Sequence, residues 1–409
     1  MPRVKIIALA VVLLVAGALG LLWRGGEQRV AYSPVEGAAR PEEIGLGGLG
    51  PKYLTQAELE RLRLRQDLDQ VKYLKGLDLS RWALACERGI DCLPELAEPE
   101  FQSIVEADGW LGDGDLVLSV RLGQRARAYP LRIMAWHQVV NDYLGDTPII
   151  VSYCPISGAG VAYARPLANG KPLVFGVSGR LYNANLLLYD RQTGSLWQQL
   201  TGEPIAGPLV GVVGKLKRLH ADIVPWGDWK RGHPGGEVLA RPKAVRIGGK
   251  KVPISAERYG EYPYAEYELR PWVGYGVEVE RLDLQGLSSK RRILGVEVPG
   301  AARAYLRADL ERLGLLNDWL GEVPVLVLMS PGGEARFFRR EFAGSTLEFT
   351  LEQGRLIDRE TGTVWSPDGR AVSGPLASRE AALEELPAVP AYWFAWLLFH
   401  PGTDLSQQR

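Results

Sequence analysis

The sequence predicts an α+β fold, predominantly antiparallel β, built as a tandem duplication of one β-rich unit and preceded by an N-terminal membrane helix. Three observations lead there. A long segment of the chain is written twice. Its 48 glycines and 27 prolines are scattered among short apolar runs, the pattern of many turns between short strands. An unbroken apolar stretch opens the chain.

That stretch, residues 6–23, follows Arg3 and Lys5 and is closed by Arg24. Its 18 residues reach the roughly 17–25 needed to cross a bilayer and exceed the roughly 7–15 of a signal-peptide core. Residues 1–23 therefore read as an uncleaved signal anchor, giving a single-pass cell-membrane protein with an extracytoplasmic body. The alternative is a signal peptide cut near Ala16-Gly17-Ala18, which leaves a secreted or periplasmic body. Residues 24–75 are polar, Gly-rich and charged, with helical spacing over 55–71, and read as a stalk or linker. The 48 basic side chains balance 48 acidic ones, so nothing draws the chain to nucleic acid. The one partner this part of the chain implies is the membrane.

The body divides into a first β-rich unit, 76–256, and a connector with a degenerate second unit, 257–409. "LVLSVRLGQRARAYPLRIMAWHQVVNDYLGDTPIIVSYCP", from Leu116, returns from Ile293 as "ILGVEVPGAARAYLRADLERLGLLNDWLGEVPVLVLMSP". Tyr129 matches Tyr305, Asp142 matches Asp318 and Pro155 matches Pro331, all at an offset of 176. "LYDRQTGSLW" then returns as "LIDRETGTVW", and His233-Pro234 as His400-Pro401. Within the unit, 116–122 and 125–129 alternate like a hairpin through Gly123-Gln124, and 133–144 has helix-compatible apolar spacing. The runs 149–153, 161–164, 173–177 and 186–189 are strands bounded by Gly, Pro and Asn. There is no βαβ rhythm.

The duplication separates scaffold from chemistry, because residues kept in both copies most economically serve the shared fold. Asp190, Thr193, Gly194 and Trp197 recur as Asp358, Thr361, Gly362 and Trp365. Asp-x-x-Thr-Gly is good turn chemistry; two copies are too few for the propeller blades that carry a similar pattern. By contrast, His137 and Cys154 fall at Leu313 and Ser330 and vanish together. An imidazolium beside a thiol raises its thiolate fraction, so the pair reads as nucleophile and activating partner. Each residue also has a plain alternative, a buried small hydrophobe for Cys154 and a satisfied helix-face histidine for His137. Ser178, Tyr182, Asn183 and Asn185, in a Gly-containing segment that the second copy shortens, suit either a polar binding wall or a turn.

The remaining cysteines, Cys86 and Cys92 in "CERGIDC", are spaced for a local disulfide in an oxidising compartment; the alternative is two unrelated small residues. If they pair, Cys154 is the odd thiol of an exported protein. With four histidines in all and no zinc spacing, no metal site is expected. No P-loop, Rossmann fingerprint, Gly-x-Ser-x-Gly elbow or haem-attachment motif occurs, and no cofactor is expected.

The run from "ARAYPLRIMAWHQVVNDYLGDTPIIVSYCPISG" through "LYNANLLLYDRQTGSLWQQLTGEPIAGPL" resembles the bacterial and archaeal family of exported proteins known as domain of unknown function 3179, over roughly 95–385. The resemblance extends to the Tyr-rich connector "ERYGEYPYAEYE". The family's motif reads Cys-Pro-Leu-Cys-Gly and some members are selenoproteins, which implies a thiol or selenol redox centre. Here Ser157 stands where the family has its second cysteine. Without that resolving thiol, the resemblance leaves monothiol chemistry or a relic.

Two readings follow. In one, Cys154 is the nucleophile, His137 its partner, and Ser157 and Ser178 its hydrogen-bond neighbours, exchanging with a redox partner protein or small thiol. In the other, the chain is a non-catalytic extracytoplasmic binding or scaffold module with a relic thiol site, presenting Tyr/Trp-rich surfaces over 262–272. A Cys154 sealed in apolar packing away from His137 favours the second.

Overall fold

The computed structural model describes residues 90–406 apart from 92, 169, 248 and 274–276. The expected anchor (1–23), the stalk (24–75), Cys86 and Cys92 lie outside the described residues. Among the described residues no helix is long and apolar enough to cross a membrane.

The strands are short and the sheets mostly antiparallel. The first copy builds an eight-stranded sheet in the order Phe101–Gln102, Glu237–Leu239, Arg125–Pro130, Leu116–Leu122, Arg218–Pro225, Ala159–Ala164, Thr147–Cys154, Val139–Leu144. Only Glu237–Leu239 against Arg125–Pro130 is a parallel pair in it. A four-stranded sheet, Pro204–Ala206, Leu196–Gln198, Asn185–Asp190, Phe175–Tyr182, lies in the same copy.

The helix expected over 133–144 is shorter. It spans Leu131–His137 and is closed by Gln138 in the left-handed region, φ 60°. Val139–Leu144 is instead a strand paired with Thr147–Cys154, joined by the two-residue loop Gly145-Asp146. Apolar residues at 139, 140 and 144 fit both periods over so short a window, and the tight loop, with Gly145 at φ 66°, decides for the hairpin.

The same order of elements returns in the second copy: Arg292–Val298, Ala301–Leu306, helix Arg307–Leu313, Leu315–Leu320, Val323–Met329, Ala335–Arg339. So do its polar staples. Asp142 takes Arg127 at 2.6 Å and the Tyr129 hydroxyl at 2.6 Å, as Asp318 takes Arg303 and Tyr305, each at 2.8 Å. Asp190 accepts the Thr193 amide and the Trp197 indole at 2.6 and 3.0 Å, and Asp358 accepts Thr361 and Trp365 at 2.7 and 2.8 Å. The recurrent residues are thus turn and packing groups.

One strand differs. Arg218–Pro225 pairs with neighbours on both sides and unites the first sheet. Its counterpart is split into Glu384–Glu385 and Val389–Tyr392, with Pro387, which has no N–H to give to a ladder, in the gap. Where the first copy has its eight-stranded sheet, the second therefore has two four-stranded ones. A shared apolar cluster joins the copies, taking Phe175, Cys154 and Trp197 from one and Tyr392, Trp393 and Trp396 from the other.

Candidate functional site

Alternation along Thr147–Cys154 sorts its side chains by face. Ile150 and Cys154 enter the cluster shared by the copies, whereas Ile149, Val151 and Tyr153 enter a second cluster. The chain then turns through Pro155–Gly158. Gly158 holds φ 63°, and a Cβ there would stand 2.8 Å from the Tyr392 ring. The Ser157 carbonyl accepts the Tyr392 amide at 2.8 Å, so this turn is a docking point for the second copy.

Cys154 is 1% exposed, and its Sγ lies 4.0 Å from the Ala184 carbonyl. Burial pushes the thiol pKa up, while the Ser157 hydroxyl and the backbone amides of Ser157, Leu186 and Ile156 pull it down. Ala184 belongs to the loop of a hairpin: Asn185 pairs with Tyr182, leaving Asn183-Ala184 as a two-residue loop with φ 50° and 54°, the conformation of a type I′ turn.

Ser157 is fully buried and accepts the Asn185 side-chain amide at 2.8 Å. Asn185 also donates to the Gln199 side chain at 2.8 Å and accepts from Gln198 at 2.6 Å. Gln199 in turn donates to the carbonyls of Ser152 and Ala159 at 3.3 and 3.2 Å. This buried amide ladder holds the hairpin against the strand that carries the thiol. Gln198 and Gln199 escaped the sequence reading, although a signal was present: "WQQL" becomes "WSPD" in the second copy.

The other candidates disperse. The Ser178 hydroxyl donates to the Leu187 carbonyl at 2.5 Å and accepts the Arg180 amide at 3.1 Å, both within its own hairpin. The Tyr182 ring packs edge-on against Phe399, 5.7 Å between centroids, and Asn183 serves the turn. His137 is not brought to Cys154. Its Nδ1 contacts the Pro94 carbonyl at 2.8 Å and its Nε2 the Tyr259 hydroxyl at 2.8 Å. Burial lowers its pKa to about 4, outweighing the Pro94 bond. At neutral pH it is therefore a neutral imidazole occupied on both nitrogens, not the imidazolium that would activate a thiol.

The connector holds the other surprise. Tyr259, Tyr264 and Tyr267 are buried rather than displayed, and among the large hydrophobic side chains of 262–272 only Leu269 and Trp272 are exposed, 87% and 52%. Tyr262 meets the Tyr153 hydroxyl at 2.8 Å, and Tyr267 donates to the Ile156 carbonyl at 2.9 Å. Among the described residues no group of three or more His, Cys, Asp or Glu side chains is placed to hold a metal. A shallow depression of about 20 Å³ between Ile223, Arg292, Arg307 and Pro390 is not lined by Cys154.

The model of the family described as protein of unknown function (DUF3179) matches residues 90–403. The chain belongs to that family. No curated protein and no solved structure matches it. The matched segment contains the strand, turn, hairpin and connector that surround Cys154, and both copies of the repeat.

Proposed function

We propose that the chain is an exported, membrane-anchored protein with a latent single-thiol centre at Cys154, exchanging with a small disulfide or a redox partner protein. The observation that carries this reading is the buried polar set beside Cys154: Ser152, Ser157, Asn185 and Gln199 are all buried, and Asn185 donates to both Ser157 and Gln199. Their influence and that of nearby amides pulls against the burial that raises the thiol pKa, and a cysteine kept for volume alone has no need of polar neighbours. Ser152, two residues earlier on the same face of the strand, is buried, and among the described residues nothing pairs with its hydroxyl. It is a polar group left for something that enters beside the sulfur. The membrane anchor rests on the apolar stretch 6–23.

In the exchange, the Cys154 thiolate attacks a disulfide R–S–S–R. The S–S bond of the disulfide breaks, Cys154–S–S–R forms, and RS⁻ leaves and takes a proton. A second thiol from outside must release R, because Ser157 cannot. His137 has no part in this step; it fixes the end of the helix and the connector.

The scaffold reading, with a relic thiol, is favoured by the 1% exposure of Cys154, its raised pKa and the engagement of His137 with Pro94 and Tyr259 instead of the thiol. Incubating the full-length chain in detergent with a small disulfide, and following the Cys154 peptide by mass spectrometry, separates the two. A mixed disulfide formed without denaturant, lost in Cys154→Ser and kept in His137→Gln, supports the thiol. Modification only after unfolding leaves the scaffold reading standing.

A further inference from the structure

We propose that the tyrosine connector is an autoinhibitory strap: it closes the Cys154 turn, and its release from the motif side admits a small disulfide. This rests on the reading of Cys154 as a working thiol. Four connector tyrosines spend their hydroxyls on two short segments, 137–138 and 153–156, the second of which carries the sulfur, with Tyr153 on the opposite face of its strand. Tyr259 meets His137 at 2.8 Å, and Tyr264 has a long contact of 3.5 Å with the Gln138 amide. Tyr262 meets Tyr153 at 2.8 Å, and Tyr267 meets the Ile156 carbonyl at 2.9 Å. The two segments are themselves joined, Tyr153 donating its amide to the Gln138 carbonyl at 3.0 Å. Tyr264 and Tyr267 also pack in the apolar cluster that contains Cys154.

The strap's other edge is fastened differently. Glu268 accepts Arg292 at 2.8 Å and the Tyr392 hydroxyl at 2.7 Å, while Lys290 donates to the Tyr267 carbonyl, and to that of Arg270 at 3.0 Å. Charged hydrogen bonds are roughly twice as strong as neutral ones. Tyr262 also donates to Glu268 at 3.0 Å, within the strap itself; the motif side, reached only through hydroxyls, is therefore the side that opens, with the strap retained by the second copy. The covering hairpin at Ala184 stays behind, which limits entry to a small reagent.

The test uses the full-length chain in detergent, with 4,4′-dithiodipyridine as the small disulfide. The Cys154 peptide is followed in wild type, Tyr262→Phe, Tyr267→Phe and Tyr182→Ala. Losing the neutral hydrogen bond to Ile156 should speed modification by about five- to tenfold in Tyr267→Phe, and Tyr262→Phe, which loses its bond to Glu268 as well as that to Tyr153, should speed it at least as much. In wild type, the urea dependence of the rate should be far shallower than that of global unfolding. The proposal falls if the Phe variants react at the wild-type rate, or if only Tyr182→Ala accelerates, which would make the hairpin the gate. It falls equally if the wild-type rate has the urea dependence of global unfolding, a result that needs no variant to fold. If the Phe variants expose Cys154 but its pH profile is that of an ordinary thiol, near pKa 8.5, the strap stands and the thiol reading fails.

Discussion

Replacing Gly158 by alanine tests whether the motif turn is a joint between the copies. Gly158 sits at φ 63°, and a Cβ there would lie 2.8 Å from Cγ of Tyr392 and 2.9 Å from both flanking ring carbons. The left-handed backbone costs about 1–2 kcal/mol for a residue with a Cβ. The ring cannot yield as a flexible chain end does, since Tyr392 is 2% exposed and its hydroxyl is tied to Glu268. Overpacking of that kind adds about 1–3 kcal/mol. Gly123 supplies the control: it has φ 60° with nothing within 4 Å of the added carbon, so Gly123→Ala bears the backbone cost alone. Urea unfolding should place Gly158→Ala about 1–3 kcal/mol below Gly123→Ala. Equal destabilisation of the two would show that Tyr392 does not bear on the turn, and the joint would be refuted.

Stability should decline on acidification. Burial lowers the pKa values of His137 and His400 to about 4 and also lowers that of His220. The unfolded chain binds protons first, near pH 6.5. Stability is thus full above that pH and is lost as pH falls toward 4, by at most about 3 kcal/mol per histidine; a profile from urea midpoints that stays flat over this window contradicts the burial. Asn185→Ala should cost about 2–4 kcal/mol by stranding the buried Ser157, Gln198 and Gln199 groups, and chemical denaturation reads it; a loss under about 1 kcal/mol would mean the ladder is not taut. Ser157→Cys should, on oxidation, form a disulfide between the introduced thiol and Cys154, seen in the mass of the tryptic peptide. Persistence of two free thiols would mean that the turn no longer permits the family's pair.

Much of the architecture was legible because duplication supplies two readings of one fold. Asp142 and Asp318, or Trp197 and Trp365, could be set aside as scaffold from the sequence alone, and their hydrogen bonds agree. What failed was information that spacing does not carry. His137 sits one residue before a left-handed Gln138, and that reversal points it toward Pro94 and Tyr259 instead of Cys154. The connector tyrosines looked like a displayed surface because composition cannot say which way a ring faces. Their partners are more than a hundred residues away in sequence, at Tyr153 and Ile156. Gln198 and Gln199 fell between categories, being polar residues directly after an aromatic that the repeat had already marked as structural.

The second copy shows what the turn needs for docking and what it does not. There the turn begins at Ser330, in the place of Cys154, and ends at Glu334, in the place of Gly158. It is docked on the first copy just as closely: Glu334 accepts His233 Nε2 at 2.5 Å and the Ser119 hydroxyl at 2.9 Å, and the Ala335 amide reaches Asp222 at 2.9 Å. Burial alone would raise the Glu334 pKa, yet His233 and Ser330 hold it well below the usual carboxylate range. That joint is ionic where the first is apolar. The Cys154 turn meets its partner copy through a backbone carbonyl and a glycine, and Cys154 itself packs in the apolar cluster shared with Tyr392, Trp393 and Trp396. In the second copy Ser330 fills the same place and bonds Glu334, so the two joints ask different things of that position. The feature that sets this turn apart is the buried polar set beside it, Ser152, Ser157, Asn185 and Gln199, and that set is what the exchange chemistry would use.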